Sequence, residues 1–302
     1  MSLNHALLAA LVAILWGFNF VVIKLGLEEM PQFLFSGLRF TLVAIPLVFF
    51  IPRPKTSWWL LIGFGFMQGF LSFACMFKGM NLGITAGLSS IILQTHIVFA
   101  LVLSHYVLNI KPTKQQIVGV SISVAGMYLV ALSLDHQMIS FSAFSIIILA
   151  SLFWAIANLF LKLAGSVNSF GFIVWSSLFA PIPNFICSYY VEGTEKIITS
   201  LQGLTIKGYA SLFFVIAFAT WIAGTVQAYL IKEYSPTVVA PYALLIPIVG
   251  MASSWIFLGD AMSSQTIGAC GVVFIGLVVN QFPMRKKFEV SAPIMTAERK
   301  AA

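Results

Sequence analysis

Ten long apolar stretches constrain this chain more than any other feature of its sequence. Each is about 20 residues long, which is enough helix to cross the roughly 30 Å of hydrocarbon in a bilayer. Because lipid offers no hydrogen-bond partners, such stretches must be helices or strands of a closed barrel. The stretches are continuously apolar rather than alternating, which favours helices. The sequence therefore predicts an all-α polytopic membrane protein with ten transmembrane helices.

Short loops rich in proline, glycine and charge separate the predicted spans. The longest predicted connection covers residues 192–206, so no loop can hold a soluble domain. The ten predicted spans are residues 5–25, 32–51, 58–80, 84–108, 115–134, 141–163, 169–191, 207–231, 237–259 and 265–283.

The charge and cysteine content exclude other classes of protein. The chain is 60% hydrophobic and 8% charged, and its net charge of +7 is scattered over short loops rather than gathered into a nucleic-acid-binding patch. Cys75, Cys187 and Cys270 all fall within apolar spans, without CxxC spacing or clustered histidines. We therefore predict no metal site, no cofactor, no disulfide framework and no nucleic-acid partner.

The basic residues in the loops predict the orientation of the chain. With the N-terminus in the cytoplasm, 11 lysines and arginines fall on the cytoplasmic side and 4 on the opposite side, while Arg39 lies within a span. Cytoplasmic loops of membrane proteins carry an excess of these residues. We therefore expect both termini to be cytoplasmic.

The first and sixth spans carry related polar signatures. Trp16 precedes Lys24 by eight positions, and Trp154 precedes Lys162 by the same interval, with an asparagine between them each time. A five-span unit that occurs twice must enter the membrane from opposite sides, because five is odd. Such an inverted repeat is typical of secondary transporters. The two predicted repeats and the charged tail, which we expect to be disordered and cytoplasmic, are residues 1–136, 137–283 and 284–302.

Several motifs together resemble a known family. They are Trp16-Gly17-Phe18-Asn19-Phe20-Val21-Val22-Ile23-Lys24, Gly37-Leu38-Arg39-Phe40, Ala86-Gly87-Leu88-Ser89-Ser90, Trp154 through Lys162, and Trp175-Ser176-Ser177 with Pro181-Ile182-Pro183. With these motifs the chain resembles the EamA branch of the drug/metabolite transporter superfamily, and within it exporters of amino-acid metabolites of the cysteine and O-acetylserine type. The resemblance implies inverted repeats, and a central cavity lined by helices 1, 3, 4, 6, 8 and 9.

Polar and aromatic side chains deep within the spans are the candidates for a substrate site, because each costs free energy in lipid unless it is partnered or hydrated. His96, near the middle of the fourth span, is the most conspicuous of them. It could be a hydrogen-bonded structural residue, a substrate contact or a proton carrier, since histidine titrates near neutral pH. The candidate substrate-binding residues are Trp16, Asn19, Gln68, Gln94, His96, Trp154, Asn158 and Tyr242.

Three cations near or within the spans are candidates for gating or for attracting charged substrates. Lys24 and Lys162 lie near opposite membrane faces, where a lysine can also extend its amine to the interface. Arg39 lies about seven residues into the second span, roughly 10 Å deep at 1.5 Å per residue, and needs polar partners there. The predicted spans contain no Asp or Glu, so proton antiport through a buried carboxylate is not predicted, and His96 is the default carrier for any proton coupling.

These features predict a secondary transporter that works by alternating access in a bacterial inner membrane, with a small polar metabolite as its substrate. The export direction comes from the resemblance alone, and the alternative is an importer or exchanger of a related metabolite. A membrane enzyme would need paired acids or a clustered His site, and a receptor has no obvious use for an inverted repeat. We expect a monomer that has the lipid bilayer, the substrate and, if transport is coupled, a proton as partners.

Overall fold

A computed structural model describes residues 1–135, 141–234 and 239–281, and these ranges are helical with short connections. The all-helical prediction is therefore confirmed. Nine of the described helices are long and apolar enough to cross a membrane, and a shorter apolar helix covers Gln32–Val48. In chain order the helices are α1 Leu3–Glu29, α2 Gln32–Val48, α3 Trp58–Asn81, α4 Ala86–Leu108, α5 Lys114–Asp135, α6 Phe141–Leu163, α7 Ser169–Glu192, α8 Ile206–Gln227 with its continuation Ala223–Tyr234, α9 Pro241–Leu258 and α10 Ser264–Gln281.

The observed helices match the predicted spans, with differences at their ends. Helix α1 begins before the predicted residue 5 because Ser2 caps its first turn by accepting a hydrogen bond from the backbone N–H of His5, and it runs past residue 25 to Glu29. The predicted connection 192–206 contains an additional short helix, Thr194–Gln202, which the sequence analysis missed. The predicted tail 284–302 and the expected repeat boundary near residues 136–140 lie outside the described residues.

The helices pack in pairs that fix their directions. Helix α1 packs on α8 and α9, α6 packs on α3 and α4, α2 packs on α7, and α5 packs on α10. We call the end of the bundle where α1 begins the N-terminal end, and the opposite end the far end. The far end contains the end of α3 and the start of α8, which contact the end of α1 through Lys24 and Glu29. Helix α6 runs the opposite way from α1, because Ile147 near its start lies against Gly79 at the far end of α3.

Small residues allow the closest helix pair, α5 and α10, to approach backbone to backbone. A Cβ atom on Gly119 would lie 2.5 Å from the backbone nitrogen of Asn280, and one on Gly126 would lie 2.5 Å from that of Val273. Lipid tails are as apolar as leucine, so helix pairing in membranes depends on such close contact rather than on the hydrophobic effect. The hydroxyl of Ser123 donates to the Gly119 carbonyl of its own helix at 3.0 Å, and it lies 3.5 Å from the Val273 carbonyl of α10.

Two helices contain wider, π-helical turns at corresponding depths. They cover Gly65–Ser72 in α3 and Phe214–Ile222 in α8. A π-helical turn leaves carbonyls available to neighbours, and such turns are frequent at functional sites. The carbonyl of Gly69 accepts hydrogen bonds from Ser36 at 3.2 Å and Asn184 at 3.0 Å, and that of Ala219 accepts one from the Trp16 indole at 2.8 Å. These carbonyls therefore join α3 and α8 to their neighbours.

A carboxylate from one helix caps another at the far end. The Glu192 carboxylate, at the end of α7, accepts hydrogen bonds from the backbone N–H groups of Phe33 at 2.7 Å and Leu34 at 3.1 Å. These groups belong to the first turn of α2, where backbone N–H groups have no partner within the helix. Ser188 donates to the same carboxylate at 2.7 Å and holds it in place. Glu192 therefore does for α2 what its own N-cap residue, Pro31, cannot do.

We expect Glu192→Ala to lower the free energy of unfolding by about 1–2 kcal/mol, the usual cost of losing an N-cap. The measurement is chemical or thermal unfolding of the purified protein in detergent. The matched control is Glu195→Ala, because Glu195 is an exposed carboxylate three residues away on the short helix Thr194–Gln202. Equal stability of the two variants would contradict the capping role of Glu192.

Candidate functional site

Helix α4 changes character halfway along its length. A tight 3₁₀ turn, Leu93–Thr95, separates a first half, Ala86–Ile92, from a second half, His96–Leu108. Every residue of the first half is buried, whereas the second half, which is fully described, has no buried residue. The first half packs against α9, and the second half packs against α6 instead. The bundle around α4 is therefore closed at the far end and looser at the N-terminal end.

His96 begins the second half of α4 and faces α6. Its Nδ1 atom lies 2.9 Å from the Leu93 carbonyl, so this nitrogen carries the proton when the ring is neutral. The ring lies beside that of Trp154, with 6.1 Å between the ring centroids. The structure thus brings two of the predicted site residues together at the middle of the bundle.

An aromatic residue that the sequence analysis did not single out extends this cluster. The Phe73 ring of α3 lies 5.9 Å from that of Trp154, and the Arg39 guanidinium carbon lies 4.4 Å from the centroid of the Phe73 ring. His96, Trp154, Phe73 and Arg39 therefore form a continuous row, which we call the central row. Phe73 is one apolar residue among many in its span, and nothing in the sequence distinguishes it from the others.

Arg39 is enclosed within the bundle, with 6% of its surface exposed. Its Nη2 group lies 3.4 Å from the Thr220 hydroxyl, a long hydrogen bond. Within the described part of the chain its Nε and Nη1 groups have no hydrogen-bond partner. The ion pairs among the described residues join Lys207 to Glu28 and Glu29 at the far end, and none of them involves Arg39.

The predicted residues of α1 have separate surroundings. The Trp16 indole donates to the Ala219 carbonyl at 2.8 Å and holds α1 against α8. Asn19 is buried, and its amide oxygen has no partner among the described residues. The Lys24 amine donates to the Met80 carbonyl at 3.2 Å, which places a positive charge at the negative end of α3. Lys24 therefore links α1 to α3 at the far end.

No described contact joins the remaining predicted residues to the central row. Gln68 and Asn158 are half-buried, and the amide oxygen of Gln68 is enclosed without a partner in the described ranges. Lys162 is exposed in the last turn of α6, at the N-terminal end of the bundle. Tyr242 packs in a small apolar cluster with Leu230 of α8 and Ala9 of α1.

Gln94 lies in a side crevice between α4, α5, α6 and α10. The crevice has a volume of about 310 Å³ and an almost wholly apolar lining. Two of its lining residues, Tyr128 and Phe141, are exposed on the outer surface of the bundle. Gln94 and His96 therefore point to different surroundings, although they are two positions apart in the sequence.

A polar cluster links α1 to α8 at the N-terminal end. The His5 ring lies between two tyrosines, with Nδ1 2.7 Å from the Tyr234 hydroxyl and Nε2 3.3 Å from the Tyr229 hydroxyl. No pattern in the sequence predicts this cluster, because it is formed by residues more than 220 positions apart.

Comparison with known proteins identifies the family. The EamA-like transporter family matches this chain twice, over residues 3–132 and again over residues 141–281. The chain belongs to the EamA-like transporter family. It is therefore an integral membrane transporter and not an enzyme, as the sequence motifs implied.

Relatives of this EamA-family chain include two proteins named "Probable amino-acid metabolite efflux pump". The one from Salmonella typhimurium is 34% identical over 94% of this chain and 97% of its own length, and the one from Escherichia coli K12 gives the same figures. An uncharacterized inner membrane transporter of Escherichia coli K12 is 25% identical over 88% of this chain and 85% of its own. A solved crystal structure with 14% identity superposes with a TM-score of 0.62, covering 92% of this chain and 96% of that chain, which shows the likeness of fold alone.

We expect Lys24→Met to loosen the far end, because the substitution keeps an apolar stem but removes the donor to the Met80 carbonyl. Ser90 is buried at the far end beside Gly250 of α9. The measurement is the rate at which a thiol reagent labels a cysteine placed at Ser90, in purified protein whose native cysteines are replaced. Loss of a charged hydrogen bond worth about 1.5 kcal/mol should speed labelling roughly tenfold. Lys196→Met on the short helix Thr194–Gln202 is the control, and equal rates in the two variants would refute the link.

Proposed function

We propose that this chain exports small polar metabolites, amino acids or their derivatives, across the bacterial inner membrane by alternating access. The single observation that carries the proposal is the contrast within α4, where Ala86–Ile92 is wholly buried and His96–Leu108 has no buried residue. A transporter caught in one of its two states is expected to be closed at one end of its substrate path and open at the other. The names of the two relatives at 34% identity support export as the direction.

We further propose ten membrane spans in two inverted repeats. Helix α2, the shortest, rises about 26 Å over its 17 residues, close to the hydrocarbon thickness. In a repeat of five helices, each helix corresponds to the one five positions later or earlier in the chain. The α1–α9 contact then corresponds to a contact between α6 and α4, and the α1–α8 contact to one between α6 and α3. Both corresponding contacts exist, and the family match to residues 3–132 and 141–281 gives further support.

The ends of α4 and α9 support the repeat in atomic detail. Each helix ends in a left-handed residue, Asn109 with φ 55° and Gly259 with φ 68°. In α4 the backbone N–H of Ile110 donates to the carbonyl of Ser104, and in α9 that of Asp260 donates to the carbonyl of Ser254. All three positions in α9 lie 150 residues after their counterparts in α4, so the caps correspond.

On this proposal two groups of helices rock against each other. The first group is α1, α8 and α9, and the second is α3, α4 and α6. At the far end the groups touch where Lys24 meets the Met80 carbonyl and where Gly87 of α4 meets Ser254 of α9. At the N-terminal end the repeat predicts the matching contact, between Lys162 of α6 and the end of α8. Lys162 is exposed in this structure, as expected if that contact forms only in the other state.

The orientation and the site are parts of the same proposal. The 11-to-4 loop bias supports a cytoplasmic N-terminal end, so this structure represents the state open to the cytoplasm. We propose that His96, Trp154, Asn158, Asn19 and Gln68 line the substrate path. The remaining candidates Trp16, Gln94 and Tyr242 support its walls from outside, and the path runs through a single chain, so a monomer suffices.

Transport assays test this proposal directly. The purified protein in proteoliposomes should exchange one or more members of a panel of neutral amino acids and their O-acetyl derivatives across the membrane. A gradient of pH across the same liposomes tests proton coupling, for which His96 is the candidate carrier. A wild-type protein that moves no member of the panel would contradict the substrate class. If the substrate accumulates only on the side that corresponds to the cytoplasm, the result would favour an importer over an exporter.

We expect His96→Ala and Asn158→Ala to lower the apparent affinity for the transported substrate about ten- to hundredfold, the usual effect of losing a buried hydrogen-bond partner. The matched control is His105→Ala, a histidine on the same helix whose ring contacts its own neighbour Tyr106. All variants must be compared at equal abundance in the membrane. Normal transport by both His96→Ala and Asn158→Ala would refute the proposed site.

A further inference from the structure

Arg39 is a buried cation whose hydrogen-bonding capacity is largely unused. Its guanidinium lies 4.4 Å from the Phe73 ring centroid and 5.3 Å from that of Phe40. Stacking on a ring occupies the face of the guanidinium and leaves its N–H groups, which lie in the guanidinium plane, for acceptors. Of these groups, Nε and Nη1 have no partner in the described ranges, and Nη2 reaches only the Thr220 hydroxyl at 3.4 Å.

The aromatic contacts do not offset the burial of this charge. A cation–π contact offsets only part of the cost of burying a charged group that lacks its hydrogen-bond partners. Arg53 shows the contrast, because it lies at the same 4.4 Å from the ring of Trp58 but is exposed to solvent. In intramembrane sites an ionisable residue of this kind usually marks a substrate or ion pathway.

We propose that Arg39 binds the carboxylate of the transported metabolite. This inference rests on the proposed function and narrows its substrate class to compounds with a free carboxylate, such as α-amino acids and their side-chain derivatives. The guanidinium presents N–H pairs in a planar fork that matches the two oxygens of a carboxylate. A carboxylate bound at one edge of the guanidinium would accept from Nη2 together with one of the two unused donors, Nε or Nη1, and would neutralise the buried charge.

The central row gives the rest of the substrate a direction. From Arg39 the row continues through Phe73 to Trp154 and His96. A molecule anchored by its carboxylate at Arg39 would therefore extend along the Phe73 and Trp154 rings towards His96. This arrangement would suit an amino acid, whose polar head and variable side chain lie at opposite ends.

The test compares amino acids with their carboxamides, which keep the size and the ammonium group but lose the negative charge of the carboxylate. The proteoliposomes contain wild type, Arg39→Gln, Arg39→Lys or the control Arg53→Gln. For each protein we measure how strongly an acid and its amide compete with a transported amino acid. The pairs are cysteine and cysteinamide, serine and serinamide, and alanine and alaninamide. Wild type and Arg53→Gln should prefer the carboxylate by about ten- to hundredfold. Arg39→Gln should lose this preference, and Arg39→Lys should keep only part of it.

A second measurement separates this role from a structural one. Removing a buried, unpaired charge should leave the thermal stability of Arg39→Gln equal to or above that of wild type. A large loss of stability, or wild-type preference for carboxylates in folded Arg39→Gln, would overturn the proposal. So would equal competition by acids and amides in wild type.

Two further outcomes are distinguishable. A lipid phosphate could satisfy the same donors. In that case anionic lipid would stabilise wild type but not Arg39→Gln, and acids and amides would compete equally well. That result would also overturn the proposal. Wild-type liposomes that move no amino acid would overturn the proposed function itself and this inference with it.

Discussion

A polar group enclosed among membrane helices must find its hydrogen-bond partner inside the protein, because lipid supplies none. Much of this structure follows from how that requirement is met. The Trp16 indole is satisfied by a carbonyl that a π-helical turn leaves available, and the Lys24 amine is satisfied by a carbonyl at the end of α3. Arg39 and Asn19 are enclosed with donors or acceptors left over in the described part of the chain. The first pair holds helices together, and we propose that the second pair serves the substrate path.

The same requirement explains why one end of the bundle is closed. At the far end the Glu192 carboxylate caps α2, Lys24 binds the end of α3, and Lys207 pairs with Glu28. These contacts lie outside or at the edge of the apolar spans, where breaking them exposes the groups to water rather than lipid. Of the three, only the contact of Lys24 with the Met80 carbonyl joins the two helix groups, since Lys207 and Glu28 belong to the same group and Glu192 and α2 to neither. On the proposed mechanism, the reverse motion exchanges the Lys24 contact for the matching contact of Lys162 at the N-terminal end.

The fold could be predicted from the sequence because long apolar runs admit few structures. The family could also be predicted, since the Trp16-to-Lys24 motif is specific, and the match over residues 3–132 and 141–281 confirmed it. The site was only partly predictable. His96 stood out as a polar residue in an apolar run, but Phe73 looked like any other apolar residue, and its place beside Arg39 depends on how α2 meets α3. Residues adjacent in sequence, such as Gln94 and His96, face different surroundings because a tight turn lies between the halves of α4.

The central claim is that the two helix groups separate at one end while they close at the other, and paired distance measurements test it most directly. Spin labels at Tyr106 and Glu233 report the N-terminal end, and labels at Leu82 and Ile256 report the far end, with all four positions exposed. Electron paramagnetic resonance distances are recorded for each pair with and without a transported amino acid. The account predicts that the first distance shortens in the same fraction of molecules in which the second lengthens. Two distances that stay fixed, or that change in the same direction, in protein that transports would contradict it.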